Sequence, residues 1–466
     1  LVSPSKIPVA AVQCGAHDRE DFDASWPRIV ALAHTAGERG ARLIVLPEGT
    51  VPGYLLGPAA VRADELARAA DDVAALAVRH AAVVVYGSAK IAGDRVYNAA
   101  ICVGPDGAEL GHAAKQFLWH FDRRWFARGE TLRPVDTPLG RLGLLVCADG
   151  RIPTIAATLV ERGAQILVMP TAWVTSGRDP GALENIQADL MANVRARENG
   201  VPFVVANKCG VECESVAYCG KSAVIDARGA FVARAGETTP EIAFGEVELA
   251  RSASPGRRRR PEPDQSAASS SEPRERARVA FTPAGARDDV ERLAALAALA
   301  DCDLLVARGP RGSDLTTTPP LAVVASDEAP AIDERAGLRY AVVRDATMHD
   351  PRGLVELRLA GIDLFIWESS DDDWSVRFAR TRAAELRAYV VVFTADGIRS
   401  FAVDPDGVVV AGTFGGFRMA SFVYDRARAQ ATTVAPTTDV FAGLRLAEAI
   451  RANDTLPAGV SKGNAR

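Results

Sequence analysis

Short apolar runs separated by stretches of helical periodicity set the rhythm of the chain. Residues 7–14 read as a buried strand. Residues 26–39 repeat apolar positions at helical spacing and stop at Gly40, a natural C-cap. Residues 43–46 form a second buried strand, ended by Pro47-Glu48-Gly49. An alanine-rich helix is predicted over 64–80, then strands over 82–86 and 98–103, the latter running into the Gly-Pro-Asp-Gly turn at 104–107. The run 142–146 stops abruptly at Cys147, in a turn containing Gly150 and Pro153. A helix over about 155–162 follows, closed by Gly163, and then a buried strand at 165–169. A helix over about 187–199 and strands at 203–206 and 222–225 complete the pattern. Alternation of strands and helices with two hairpin-like pairs interleaved predicts an α/β layered sandwich with a mixed sheet.

The pattern breaks between residues 252 and 276, where proline, serine and alternating charge carry no apolar periodicity. Such composition predicts a disordered linker. The run Arg257–Arg260 has a second reading as a docking patch, but Glu262 and Asp264 follow closely and favour a solvated linker. Beyond it the first half is echoed. Residues 278–281 open as 8–12 do, 288–300 read as a helix, and 303–306 match 43–46. Pro351 and Gly361 are spaced as Pro153 and Gly163 are, and 400–407 repeats the strand–turn unit of 222–229. The expectation is two copies of one fold; two unrelated α/β domains are the alternative. The predicted boundaries are 1–250, a linker at 251–277, a second copy at 278–450 and a flexible tail at 451–466. In this register Asp345 or Arg344 replaces Cys147 and Arg308 replaces Glu48. No lysine lies between Lys221 and Lys462.

At 466 residues the chain has room for two or three full-sized cores, and 48% hydrophobic with 24% charged residues is ordinary for a globular protein. A net charge of −5 gives no general attraction to nucleic acid or anionic membrane. No apolar run approaches the roughly 18 residues of a spanning helix, and no signal-peptide core opens the sequence. Seven scattered cysteines read as reduced thiols of a cytoplasmic protein. Cys209, Cys213 and Cys219 cluster without a nearby histidine or a common zinc spacing, so they read as ordinary thiols rather than a metal site.

Three residues stand where strands end in turns: Glu48, Lys115 and Cys147. Each has a plain alternative, as the polar start of a helix, a surface charge, and a small core hydrophobe. Together they supply a thiol nucleophile, a carboxylate to take its proton, and a cation for an oxyanion. His112 and His120 flank Lys115 but form no recognised Cys-His signature.

These stretches resemble the motifs of the nitrilase (carbon–nitrogen hydrolase) superfamily. Leu-Ile-Val-Leu-Pro-Glu-Gly ending at Gly49, with Gly53-Tyr54 after it, is similar to the glutamate motif. The run Lys-Gln-Phe-Leu-Trp-His-Phe-Asp-Arg-Arg-Trp-Phe from Lys115 resembles the lysine motif. Gly-Leu-Leu-Val-Cys-Ala-Asp around Cys147 resembles the nucleophile motif, and Pro-Thr-Ala-Trp ending at Trp173 the strand end beyond it. Arg-Ala-Arg-Glu-Asn-Gly from Arg195, and Val-Ala-Asn ending at Asn207, resemble the helix and strand that follow.

The resemblance implies an αββα sandwich of the nitrilase type, here as two tandem copies forming an intramolecular pseudo-dimer. It also implies cysteine-dependent hydrolysis of a small-molecule amide with no cofactor or metal. Glu48 is then the general base, Lys115 the oxyanion stabiliser and Cys147 the nucleophile, helped by the Ala148 amide. Asp122 aligns with the family's second glutamate, with an ion pair to Arg123 or Arg124 as the alternative. Phe117 stands where a histidine is usual and Thr154 where a glutamate is common. Tyr54, Trp119, Trp125 and Trp173 are expected to line the pocket or to pack the core. Arg151 binds a substrate carboxylate or pairs outward, and Glu198 orients structure rather than reacting. Nitrile hydrolysis, acyl transfer to an amine and a non-catalytic scaffold are the competing functions. Partners are expected to be the small-molecule substrate and the internal pseudo-dimer, with further homo-oligomers open and neither nucleic acid nor membrane involved.

Overall fold

The structure is a computed structural model that describes residues 6–56, 61–175, 184–250, 273–283, 287–308, 322–325, 331–394, 399–414 and 416–453. Most of the predicted linker, and the tail from 454, lie outside the described residues. The chain divides into two compact units. The first comprises 1–257, 435–438 and 442–466, and the second 258–434 and 439–441.

In the first unit the apolar strands are continuous rather than alternating because both of their faces are covered. The elements, in order, are β1 (Lys6–Gly15), α1 (Phe22–Glu38), β2 (Leu43–Val45), α2 (Ala63–His80), β3 (Val83–Ala92), β4 (Arg95–Val103) and β5 (Glu109–Ala114). Next come β6 (Val135–Thr137), β7 (Gly140–Leu144), α3 (Pro153–Glu161), β8 (Ile166–Pro170), α4 (Ala192–Asn199) and β9 (Phe203–Ala206). The run ends with β10 (Lys208–Glu212), β11 (Val216–Cys219), β12 (Ala223–Ile225), β13 (Phe231–Arg234) and β14 (Glu241–Glu248). One sheet has the order β11-β10-β1-β2-β3-β4-β5 with β14 also on β1, and the other β13-β12-β9-β8-β7-β6. The sheets face each other through β1–β3 and β8–β9, and α1–α2 and α3–α4 lie outside them. The layering is αββα, as expected. Ala10, Val12, Ile44 and Val84 pack under α1 and α2 with Trp26, Ile29, Val73 and Leu76. Val9, Ala11, Leu43 and Val45, the alternate positions, are also buried, on the side toward the second sheet.

Helix boundaries differ from the periodicity in instructive ways. The first helix begins at Phe22, four residues early, and carries Pro27 inside it, where the ring removes the amide that would bond the carbonyl of Asp23. The helix after Cys147 begins at Pro153, which occupies the first helical turn. Before α4, residues Gln187–Met191 form a wider π turn.

The second unit contains β15 (Arg276–Thr282), α5 (Arg287–Leu299), β16 (Leu304–Ala307), β17 (Ala322–Ala325), β18 (Ala331–Arg335) and β19 (Leu338–Val343). It continues with α6 (Asp345–Met348), α7 (Pro351–Leu359), β20 (Leu364–Glu368), α8 (Asp372–Leu386), β21 (Tyr389–Phe393), β22 (Ser400–Val403), β23 (Val409–Gly412), β24 (Ala420–Asp425) and α9 (Arg426–Gln430). A final helix, α10 (Val440–Asn453), belongs to the first unit from residue 442 on. The six-stranded sheet β18-β19-β20-β21-β22-β23 repeats the order of β6-β7-β8-β9-β12-β13, with the same sense at every step. β15 pairs β16 in parallel and β24 antiparallel, as β1 pairs β2 and β14.

This pairing corrects one sequence register. Asp303 N donates to Arg278 O as Arg42 N donates to Pro8 O. Arg308 therefore stands at the position of Pro47, and the position of Glu48 falls one residue later, outside the described residues. At the other strand end the spacing gives Asp345, not Arg344, the place of Cys147, since Tyr340 pairs Leu364 as Leu142 pairs Ile166. Among the described residues no helix is long and apolar enough to cross a membrane.

Candidate active site

Glu48, Lys115, Asp122 and Cys147 come together at strand ends of the two facing sheets, and all four are buried. Lys115 is no surface charge. Its Nζ lies 2.7 Å from Glu48 Oε1 and 2.6 Å from Asp122 Oδ2, with none of the three side chains exposed. Asp122 thus pairs with the lysine and not with Arg123 or Arg124. Asn98, on β4, donates from Nδ2 to Glu48 Oε1 at 2.7 Å and to Asp122 Oδ1 at 3.4 Å. The Trp119 amide donates to Asp122 Oδ2 at 2.7 Å. Glu48 Oε2 has no hydrogen-bond partner among the described residues.

The backbone builds this arrangement through conformations few residues tolerate. Gly49 has φ +57, and a Cβ there would lie 2.6 Å from Tyr54 Cα. Gly87 on β3 passes so close to the glutamate loop that a Cβ would lie 2.5 Å from Glu48 Cα. Cys147 itself has φ 47, a left-handed conformation uncommon outside glycine, and it ends the β7 strand run. A short 3₁₀ stretch, Cys147–Arg151, follows before α3.

Asp149 holds this turn. One carboxylate oxygen accepts from the Gln116 and Phe117 amides at 3.0 and 2.8 Å, and the other from Val146 N at 3.1 Å. It therefore ties the cysteine turn to the lysine segment. Burial pushes its carboxyl up to about 7, against the pull of those amides and of Lys115. Arg195, on α4, donates from Nε to Gly150 O at 3.0 Å and pairs with Glu198 at 2.9 Å, both side chains buried. Glu198 is accordingly a structural partner, as expected.

Electrostatics at the centre follow from one ammonium facing two carboxylates without solvent. Burial raises the Glu48 carboxyl, Lys115 opposes that, and Asp122 adds to it. Burial disfavours the Lys115 ammonium, but Asp122, Glu48 and Cys147 outweigh it, so the lysine stays charged. Burial raises the Cys147 thiol, with Glu48 adding and Lys115 opposing. The resting thiol therefore keeps its proton near neutrality.

A cleft of about 230 Å³ reaches Cys147 and is lined by Trp119, Ala148, Arg151, Trp173, Glu184 and Asn185 among others. Of the predicted pocket residues, Trp119, Ala148, Arg151 and Trp173 line it. Arg151 lies against Trp119, its Cζ 5.6 Å from the ring centroid. Tyr54 does not line that cleft. It packs edge-on against Tyr218 at 6.4 Å, and its ring centroid lies 5.8 Å from Lys115 Nζ. Trp125 likewise packs in an apolar cluster with Leu118 and Phe126. Sequence reasoning missed Asn98, Asp149, Glu184 and Asn185. Asn98 and Asp149 carried a signal, as the polar residues of two otherwise apolar strand-and-turn runs; Glu184 and Asn185 carried none. Cys209 and Cys219 face each other across the β10–β11 pair, and no group of three metal-binding side chains occurs among the described residues.

Two opposed sheets with a buried carboxylate–lysine pair beside a thiol at a strand tip define a recognisable class of α/β protein. The carbon–nitrogen hydrolase family model matches residues 8–255, and the chain belongs to that family. The chain is 33% identical over 236 residues to a hydrolase encoded in the pqqF 5′ region of Pseudomonas protegens, covering 49% of this chain and 78% of that one. It is 31% identical to an (R)-stereoselective amidase of Pseudomonas sp., covering 44% and 72%. A nitrilase of Pyrococcus abyssi is 28% identical, with 52% and 90% covered. Among solved structures, the amidase from Nesterenkonia sp. AN1 matches at 26% identity and a TM-score of 0.48, covering 53% of this chain and 93% of that one.

Proposed function

We propose that the first unit is a cysteine-dependent amidohydrolase acting on a small-molecule amide through a thioester. The observation that carries this reading is the buried Lys115 bridging Glu48 and Asp122 beside Cys147, with Glu48 Oε2 unpartnered. Because burial keeps the thiol protonated, a base must act as the sulfur attacks. Glu48, itself raised toward neutrality by burial, is matched to that task. In the first step Sγ bonds to the amide carbon, its proton passes to Glu48, and the carbonyl oxygen becomes an oxyanion held by Lys115 Nζ and the Ala148 amide. Glu48 then protonates the departing nitrogen, the C–N bond breaks, and ammonia or an amine leaves a Cys147 thioester. Water loses a proton to Glu48 as it attacks the thioester carbon, the C–S bond breaks, and Glu48 returns that proton to the departing sulfur, giving the acid, the free thiol and the ionised glutamate. Asp122 keeps Lys115 charged and aimed throughout. Relatives named as amidases support the amide reading; one named as a nitrilase keeps nitriles in the test.

The deciding assay is ammonia release from aliphatic amides, ω-amides, N-carbamoyl compounds and nitriles, with Cys147→Ala in parallel. Release by the wild type alone supports the reading, and equal release by the variant sinks it.

We further propose that the second unit is a copy of the first that has lost the reactive groups and stands in for the partner subunit of a dimer. The copy half of this reading is supported by the shared strand order and by Arg382, which donates to Met348 O at 2.9 Å and pairs with Glu385 just as Arg195 serves Gly150 and Glu198. Residues 1–250 expressed alone should then self-associate, and a well-behaved monomer in sedimentation contradicts it.

A further inference from the structure

The lysine segment is held from a second direction, by chain that follows the second set of sheets yet belongs to the first unit. The His120 amide donates to Thr438 Oγ1 at 2.9 Å, and that hydroxyl in turn donates to Pro436 O at 3.4 Å. Thr438 is fully buried, so both hydrogen-bonding functions of its hydroxyl are used inside the protein. Thr437, just before it, has φ 61, a left-handed conformation uncommon for a β-branched residue. Five residues on, Gly443 of α10 lies against Phe117 and Ile152. A Cβ there would stand 2.7 Å from a ring carbon of Phe117 and 2.7 Å from Ile152 Cδ1. Further along the helix, Arg451 Nε lies 3.6 Å from Glu161 Oε2 at the end of α3.

These contacts bracket the residues that shape the site. Phe117 N is fixed by Asp149 and His120 N by Thr438. Between them lies Trp119, which lines the cleft and whose amide holds the Asp122 carboxylate against Lys115. A shift of the 117–120 turn would therefore move a cleft wall and the partner of the central ammonium together. Phe117 stands where the resemblance leads one to expect histidine, and it is its ring that meets Gly443.

We propose that Thr438 and Gly443 are positioning residues of the active site, so that the C-terminal segment completes the catalytic unit by fixing the 117–120 turn. This rests on the thiol reading above. The effect acts through Trp119 and Asp122, and neither Thr438 nor Gly443 touches the reacting atoms.

The test uses the full chain as wild type, Thr438→Val, Thr438→Ser and Gly443→Leu. Alkylation of Cys147 by iodoacetamide is followed by peptide mapping, with the exposed Cys213 as internal reference. Amide hydrogen exchange of the 116–122 peptide is measured in parallel. Thr438→Val should slow Cys147 labelling about tenfold relative to Cys213, the scale of one lost buried hydrogen bond, while Thr438→Ser stays near wild type. Gly443→Leu should slow labelling at least as much, and both disruptive variants should exchange faster in 116–122. Equal labelling in wild type and Thr438→Val overturns the proposal. If wild-type Cys147 takes no label, the thiol reading is what fails, and exchange decides this one. Faster exchange in Thr438→Val than in Thr438→Ser supports it, and equal exchange overturns it.

Discussion

At the end of β7 and at the end of β19 the chain meets the same geometric problem with different side chains. Cys147 turns through a left-handed conformation into a cleft, and its neighbours Glu48 and Lys115 are buried charges gathered around it. Asp345, at the equivalent place, also starts a helical turn but without the left-handed conformation. Its carboxylate accepts from Trp367 Nε1 at 2.8 Å and from the Ser370 amide and hydroxyl, so its hydrogen bonds close on its own surroundings. Nearby, Arg308 and Arg344 share the Glu368 carboxylate at a partly exposed position. Yet in both units a buried arginine on a later helix bonds a backbone carbonyl just past the strand end, Gly150 or Met348, and a glutamate three residues after itself, Arg195 with Glu198 and Arg382 with Glu385. The arginine–glutamate pair is therefore a requirement of this packing, whereas the glutamate–lysine–cysteine group is not. A buried charge that only one unit keeps points to chemistry rather than folding.

The largest expected difference between the units is in turnover. Cys147→Ala should lower it on the order of 10³-fold or more, while Asp345→Ala leaves it unchanged in the same assay. Lys115→Met should abolish activity and also destabilise by about 3–5 kcal/mol in denaturant unfolding, because it strands two buried carboxylates. Glu198→Gln and Glu385→Gln should each cost a similar ~3–5 kcal/mol, one in each unit, if the pair is structural in both. A much smaller loss for Glu385→Gln would break the comparison. The pH profile separates chemistry from packing. Glu48 must be ionised to take the thiol proton, and burial holds its carboxyl above 4.5, so the acid limb of activity should have its midpoint above that value. Activity falls as pH drops through that raised value. Smallest of all, Arg308→Ala with Arg344→Ala should change stability by about 1 kcal/mol or less, since these pairs are partly solvated.

The sequence made the layering legible because each strand is a short run with turn residues at both ends, and because Pro153–Gly163 and Pro351–Gly361 repeat at one spacing. Glu48, Lys115 and Cys147 were legible as chemistry-bearing residues at strand ends. Register at the edge of a run was not. Arg308 was placed one residue off because apolar runs of equal length slide past each other until backbone hydrogen bonds fix them. The role of Asp149 is not legible because it depends on amides 33 and 32 residues away, nor that of Thr438, whose partner His120 lies 318 residues away in the sequence. For Tyr54 the sequence leaves lining and packing both open, since an aromatic beside a strand end does one or the other according to where the next loop goes, and here its ring packs against Tyr218.

The most direct test of the central claim is intact-mass analysis of the full chain quenched during turnover of whichever amide releases ammonia, followed by peptide mapping. The account predicts an acyl adduct on the peptide carrying Cys147, absent from Cys147→Ala and lost on incubation with hydroxylamine. Steady ammonia release with no adduct at Cys147, or an adduct on another residue that survives Cys147→Ala, would contradict it.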